Sequence, residues 1–170
     1  QKLLGITKTS SMPLLQDRSH LRKAFATGLP YMECPCGDDH GGEVGLQGTR
    51  PAEVLKLWLG LRQLGIEGIG AVLESALERQ AMLKQVLEDD RLLLLDGGLH
   101  LLAFRPRQDD PVVSSRWTEQ TRRELMRHGF LLSRPRYDGH HWLKVVLGNP
   151  HTTSAHLMQL AFLITQQLTD

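Results

Sequence analysis

Apolar residues recur at three- and four-residue spacing in two adjoining stretches. In the first, Val54, Leu55, Trp58, Leu61 and Leu64 follow Pro51, a residue suited to a helix's first turn, and Gly65 ends the run. In the second, Ile69, Val72, Leu73, Ala76, Leu77, Leu83, Val86 and Leu87 share one side, with Glu74, Glu78, Arg79 and Lys84 on the other. This predicts a helix stopped at Gly65 and a long amphipathic helix directly after it. Residues 92–95 and 99–105 read as two strands around Asp96-Gly97-Gly98, a hairpin signal. Residues 106–111 form a polar break, residues 117–128 a charged helix ended by Gly129, and residues 130–137 and 141–147 two further strands around Asp138-Gly139. Over residues 154–168, Leu157, Leu160, Ala161, Ile164 and Leu168 line one face of a closing helix. Helix, helix, strand, strand, helix, strand, strand, helix is the order of an α+β domain whose antiparallel sheet is backed by helices.

Before residue 50 the pattern is weaker. Residues 6–16 are rich in β-branched and small side chains and predict an extended segment or strand, confined to a sheet edge by Pro13. Residues 18–25 predict a short helix. Residues 27–47 carry Gly28, Gly37, Gly41, Gly42 and Gly45 with two prolines and Asp38-Asp39, which predicts a loop long enough to be functional.

Composition narrows the classes. The chain has 170 residues, of which 41% are hydrophobic, and its 20 Lys and Arg against 19 Asp and Glu leave a formal charge of +1. That composition disfavours disorder, and a charge near zero gives counterion release little to drive, so nucleic acid is not an expected partner. No apolar run approaches the roughly 18 residues of a membrane span, and no signal-peptide pattern opens the chain, so it reads as soluble. Cys34 and Cys36 are too few and too close for a disulfide framework, which fits a reducing cytoplasm. The first residue is Gln, and the opening stretch reads like the middle of something, so the chain is expected to be the C-terminal part of a longer protein.

Spacing alone names no reaction. Cys34, Cys36 and His40 fall short of the four ligands of a structural zinc site, and no metal is expected. His140 and His141 are strand neighbours that face opposite ways. Asp38, Asp39 and Glu43 lack calcium-loop spacing, and Gly41, Gly42 and Gly45 make no phosphate-binding fingerprint. Lys2, taken by itself, is a surface lysine.

Three blocks in order change this reading. They are Gln1-Lys2-Leu3-Leu4-Gly5-Ile6 with Thr9-Ser10-Ser11-Met12 after it, Gly45-Leu46-Gln47-Gly48-Thr49-Arg50 leading to Leu55-Lys56-Leu57-Trp58, and Lys144-Val145-Val146-Leu147-Gly148-Asn149-Pro150. Together they resemble the pyridoxal-phosphate-dependent decarboxylases of the glutamate, cysteine-sulfinate and aromatic amino-acid group, over essentially the whole chain. The resemblance implies the C-terminal part of a fold-type-I enzyme. Residues 1–26 would end the large cofactor-binding domain, residues 27–49 would be the mobile catalytic loop, and residues 50–170 a helical linker and the small domain.

It also implies roles. Lys2 corresponds to the lysine that attaches pyridoxal 5'-phosphate, since a deprotonated amine attacks an aldehyde carbon, and it would later assist proton transfer. Gly48 and Thr49 match a segment that reaches the cofactor phosphate from the neighbouring subunit of a homodimer, although the family has Gly at Thr49. Lys144 stands where the family has an Arg that binds the substrate carboxylate, a point charge in place of a bidentate fork. The family's loop supplies a Tyr that protonates the substrate carbon, but no Tyr lies between Met32 and Gln47, so either His40 is the proton donor there or the loop's protonation is altered and side reactions rise. Gln1 replaces the family's His. The implied substrate is an L-amino acid, and the Leu46-Gln47 and Asn149-Pro150 blocks lie nearer the glutamate and cysteine-sulfinate branch, so an acidic one is expected. By itself the chain is expected neither to catalyse nor to be well soluble. Another fold-type-I lyase or aminotransferase, or a non-enzymatic α+β interaction module, are the alternatives.

Overall fold

The computed structural model describes residues 3–6, 13–29, 44–46 and 51–168. The chain divides into two units, residues 5–63 and residues 64–170, the latter joined by residues 2–4.

In the first unit, α1 (Ser19–Phe25) begins beside Asp17, whose carboxylate accepts the Ser19 N–H at 2.8 Å. The Ser19 hydroxyl, which donates to the same carboxylate at 2.7 Å, and then the Ser19 N–H hold the Asp17 carboxyl below the usual carboxylate range. The short helix expected over 18–25 is therefore present. The strand expected over 6–16 is not formed by its described residues, since Ile6 and residues 13–16 pair with no strand, and Pro13 offers no N–H to a ladder. Residues 7–12 lie outside the described residues. Ile6 instead packs at Gly60, where an added Cβ would sit 2.6 Å from its Cγ1.

The two predicted helices run end to end as α2 (Val54–Val86), broken at Gly65 as the spacing predicts. Gly65 has φ 64° and ψ −179°, a region essentially closed to residues with a Cβ. Gly65→Ala has open space for its methyl yet is expected to cost about 1–3 kcal/mol from the backbone alone. Chemical denaturation checks this, and a change below about 0.5 kcal/mol would show that the break relaxes freely.

In the second unit, β1 (Leu92–Asp96), β2 (Leu101–Pro106) and β5 (Leu143–Val146) form an antiparallel sheet in the order β1-β2-β5. Leu94 pairs with Phe104 and Ala103 with Lys144. Alternation turns Leu92, Leu102, Phe104, Leu143 and Val145 into a core with Leu83 of α2, Leu87 just after it, Leu125 of α3 (Pro111–Arg127) and Leu157, Leu160 and Ile164 of α4 (Ser154–Thr165). The first hairpin's turn is longer than expected, so β2 starts at Leu101 and not at Leu99, which has φ 60°.

α3 also departs from expectation, starting at Pro111 and not at Trp117. Asp110 caps it by accepting the Val112 N–H at 2.8 Å, with Pro at the first position. Its buried face is Ser114, Thr118, Thr121 and Leu125, a helical stripe with polar members that apolar periodicity does not reveal. In the second hairpin, Asp138 and Gly139 both have positive φ, 48° and 76°, as a type I′ turn requires. The expected strand over 130–137 reduces to β3 (Arg136–Tyr137), paired with β4 (His140–His141), because Pro135 has no N–H to extend the ladder. Thr153 caps α4 by a reciprocal pairing with His156. The helix closes at Thr165, before the expected 168.

Candidate functional site

Of the expected site residues, Lys2, His40, Gly48 and Thr49 lie outside the described residues, as do Cys34 and Cys36. Lys144 is described. It stands on β5, with its backbone N–H donating to Ser133 O at 2.8 Å and its carbonyl accepting from Ser133 N at 3.3 Å. Leu143 and Val145 point into the core, which leaves half-buried Lys144 on the opposite face. Its ammonium has no hydrogen bond or ion pair among the described residues.

Lys144 borders two clefts. One, of about 710 Å³, is walled by Arg122, Ser133, Asn149, Thr152 and His156 together with apolar residues of α4, and no carboxylate among the described residues lines it. Arg122 spends Nε on Leu132 O at 2.8 Å, and His156 uses Nδ1 in the Thr153 cap. Among the described residues, their remaining nitrogens have no partner. The other cleft, of about 300 Å³, is apolar apart from Asp96, Lys144 and the Tyr137 hydroxyl. A cleft with cations and no acids favours an anion electrostatically.

The turn after β5 shows a second convergence. Leu147 donates to His100 O at 2.9 Å, and Arg79 Nε donates to Leu147 O at 2.8 Å. Gly148 is buried there, and a Cβ on it would lie 3.1 Å from both Leu3 Cδ1 and His100 Cδ2. Leu3, the residue after Lys2, is thus packed against the turn that contains Asn149 and Pro150. The first and last of the three sequence blocks meet in the fold.

Sequence reasoning missed Arg105 and weighed His141 only as half of a histidine pair. Arg105 is buried at 6% exposure, its guanidinium 5.1 Å from the Trp142 ring centre. His141 has an imidazole held below its ordinary range, first by burial and then by Arg134 and Arg136, against an opposing pull from Glu119. The folded protein therefore binds this proton less readily than the unfolded chain. That contribution to stability is complete above the ordinary imidazole range and is lost as the pH falls from there through the lowered value. His141→Gln is expected to flatten the decline in stability between about pH 7.5 and 5, measured by denaturant titration. An unchanged slope would remove His141 as its source.

Among the described residues, no cluster of three His, Cys, Asp or Glu side chains could hold a metal, and no helix is long and apolar enough to cross a membrane.

No family model and no curated protein matches the chain. Solved structures do. Oryza sativa TDC, crystallised with PLP and tryptamine, superposes with a TM-score of 0.73 over 89% of this chain at 17% identity. The chain has the fold of one part of that protein. Rhodiola rosea 4-hydroxyphenylacetaldehyde synthase matches with a TM-score of 0.68 over 90% of the chain at 19% identity. Catharanthus roseus tryptophan decarboxylase in complex with L-tryptophan matches with 0.62 over 74% at 21%. The chain spans 34%, 32% and 27% of these three proteins respectively, about a third of their length. The antiparallel sheet backed by helices, read from the sequence as part of a larger fold-type-I chain, agrees with this fold.

Proposed function

We propose that this chain is the C-terminal part of a pyridoxal 5'-phosphate-dependent enzyme that decarboxylates an L-amino acid. The observation that carries the reading is the seating of Leu3 on Gly148, which joins the Lys2 block to the Lys144–Pro150 block in a fold shared with a PLP-bound protein. Lys2, Gly48 and Thr49 are the residues that would hold the cofactor, and the Arg122 and Lys144 cations of the cleft beside β5 suit an anionic group. When bound, the cofactor supplies the sink for the electron pair released as carbon dioxide leaves.

The chain's own residues then have separate tasks. Lys2 Nζ anchors the cofactor and moves a proton at the reacting centre. Lys144 Nζ, unpaired among the described residues, holds the substrate carboxylate as a point charge. The imidazole of His40 returns a proton to the α-carbon. Residues 1–26 complete the large domain, residues 27–49 form the loop that closes on the site, and residues 50–170 form the linker and small domain. The complete protein works as a homodimer in the cytoplasm, with Gly48 and Thr49 reaching the partner's cofactor phosphate.

An acidic substrate is the favoured one, on the Leu46-Gln47 and Asn149-Pro150 blocks and the acid-free cleft beside Lys144. The test is to supply glutamate, aspartate, cysteine sulfinate and tryptophan to the longest natural polypeptide containing this chain, with added pyridoxal phosphate. Carbon dioxide and an amine, fastest from an acidic amino acid, are expected. Amino transfer without carbon dioxide would favour an aminotransferase, and no reaction at all an interaction module. An aldehyde product, formed with carbon dioxide and ammonia when dioxygen takes up two electrons and becomes hydrogen peroxide, is the second reading, favoured by the Rhodiola rosea neighbour and by a loop without Tyr between Met32 and Gln47. In the same assay, Lys144→Ala is expected to raise KM about 10- to 150-fold, the loss of one hydrogen bond to a charged group, and Lys144→Arg to restore binding. An unaltered KM in Lys144→Ala would free Lys144 from this role.

A further inference from the structure

We infer that the cleft of about 710 Å³ beside β5 is a two-acid site, in which Arg122 and His156 hold the side-chain acid of the amino acid whose α-carboxylate Lys144 takes; this rests on the decarboxylase reading above. Main-chain bonds bring the two cations to one pair of segments. Arg122 Nε donates to Leu132 O at 2.8 Å, and the next residue, Ser133, exchanges main-chain hydrogen bonds with Lys144 at 2.8 and 3.3 Å. Both cations are half-buried. The third group, His156, lines the same cleft from the first turn of α4, the positive end of that helix's dipole.

Each of the three still has a donor to give. A guanidinium carries five N–H groups in a rigid fork, and Arg122 spends only the one on Nε, so Nη1 and Nη2 have no partner among the described residues. His156 Nδ1 accepts the Thr153 N–H at 3.1 Å, so the neutral ring carries its hydrogen on Nε2. No group among the described residues accepts from Nε2. The acids of α3 do not neutralise the cleft, because Glu119 pairs with Arg123, and Glu124 with Arg127 and His128.

Two unpaired cations on one cleft favour an anion between them. The fork of Arg122 suits two oxygens of one acid group, and the point charge of Lys144 takes the other acid. Leu132, Leu157 and Leu160 supply an apolar wall for the methylene carbons that join the two. At about 710 Å³ the cleft falls within the roughly 300–1,000 Å³ of ligand sites.

The test titrates the complete protein calorimetrically with two unreactive probes of equal length, glutarate with two carboxylates and pentanoate with one, and measures KM for glutamate. Arg122→Gln keeps a nitrogen at the Nε position to donate to Leu132 O but removes the fork. His156→Glu keeps a capping-box partner for Thr153 but places a carboxylate in the cleft. Thermal unfolding checks that both variants fold. Wild-type protein is expected to bind glutarate at least about tenfold more tightly than pentanoate. Each variant is expected to cut that preference about tenfold and to raise KM for glutamate as much, with kcat changed less. No preference in the wild type, or a preference kept within about threefold in both variants, would overturn the inference. Carbon dioxide from glutamate with an unaltered KM in both variants rejects this inference alone. A preference that the variants abolish, in a protein that releases no carbon dioxide from any amino acid, keeps the two-acid cleft and rejects the decarboxylase reading.

Discussion

Lys2→Ala in the complete protein is expected to slow decarboxylation by roughly 10²- to 10⁴-fold, the range associated with removing one positioned proton-transfer group. The loss of covalent attachment adds to this, so the lower bound is the firm one. Lys2→Arg keeps the charge but is permanently protonated and cannot attack an aldehyde carbon, so it is expected to fail as completely as the alanine variant. Steady-state rates of carbon dioxide release check both. A Lys2→Ala protein with more than about a tenth of the wild-type rate would return Lys2 to an ordinary surface lysine.

The largest expected effect on stability comes from Arg105. Its Nη1 donates to Pro106 O at 2.9 Å and Gln108 O at 2.7 Å, and its guanidinium stacks on Trp142 at 5.1 Å. The nearest carboxylate oxygen, on Asp109, is 3.8 Å away on a side chain 99% exposed, where water screens it. Carbonyls and a ring, not an acid, compensate this buried cation. Hydrogen bonds to charged groups contribute about 1.5–3 kcal/mol each, and a desolvated cation–π contact about 2 kcal/mol. Against these stands the desolvation cost of the guanidinium, including an Nε that finds no partner among the described residues. Arg105→Ala is therefore expected to cost about 3–5 kcal/mol, a large share of the roughly 5–15 kcal/mol that holds a domain together. Asp109→Asn is expected to cost less than about 0.5 kcal/mol. Urea titration followed by tryptophan fluorescence separates the two, and equal effects would mean that the exposed ion pair matters more than the buried contacts.

The reach of the sequence differs from element to element for physical reasons. Gly65 and the Asp138-Gly139 turn were legible because glycine there solves a local backbone problem, visible without tertiary context. The opening turns of α3 were not, because Ser114, Thr118 and Thr121 bury a polar stripe where periodicity looks for apolar residues. Arg105 alternates with Phe104 and so belongs, by pattern, on a solvent-facing side. Trp142, just after the second hairpin, covers it, and only the tertiary fold reveals that. Within the candidate site, Lys144 emerged from a resemblance of blocks and has a place on β5. The packing of His100 and Leu3 on Gly148 escaped notice because these residues are distant in sequence and close in space.

The central claim is that Lys2 carries the cofactor, and trapping tests it most directly. The complete protein, loaded with pyridoxal phosphate, is reduced with borohydride, digested and mapped by mass spectrometry, with the absorbance spectrum recorded before and after reduction. A visible cofactor band that disappears on reduction, with the phosphopyridoxyl mass on Lys2, is the predicted result. No band, or the mass on another lysine alone, would contradict it.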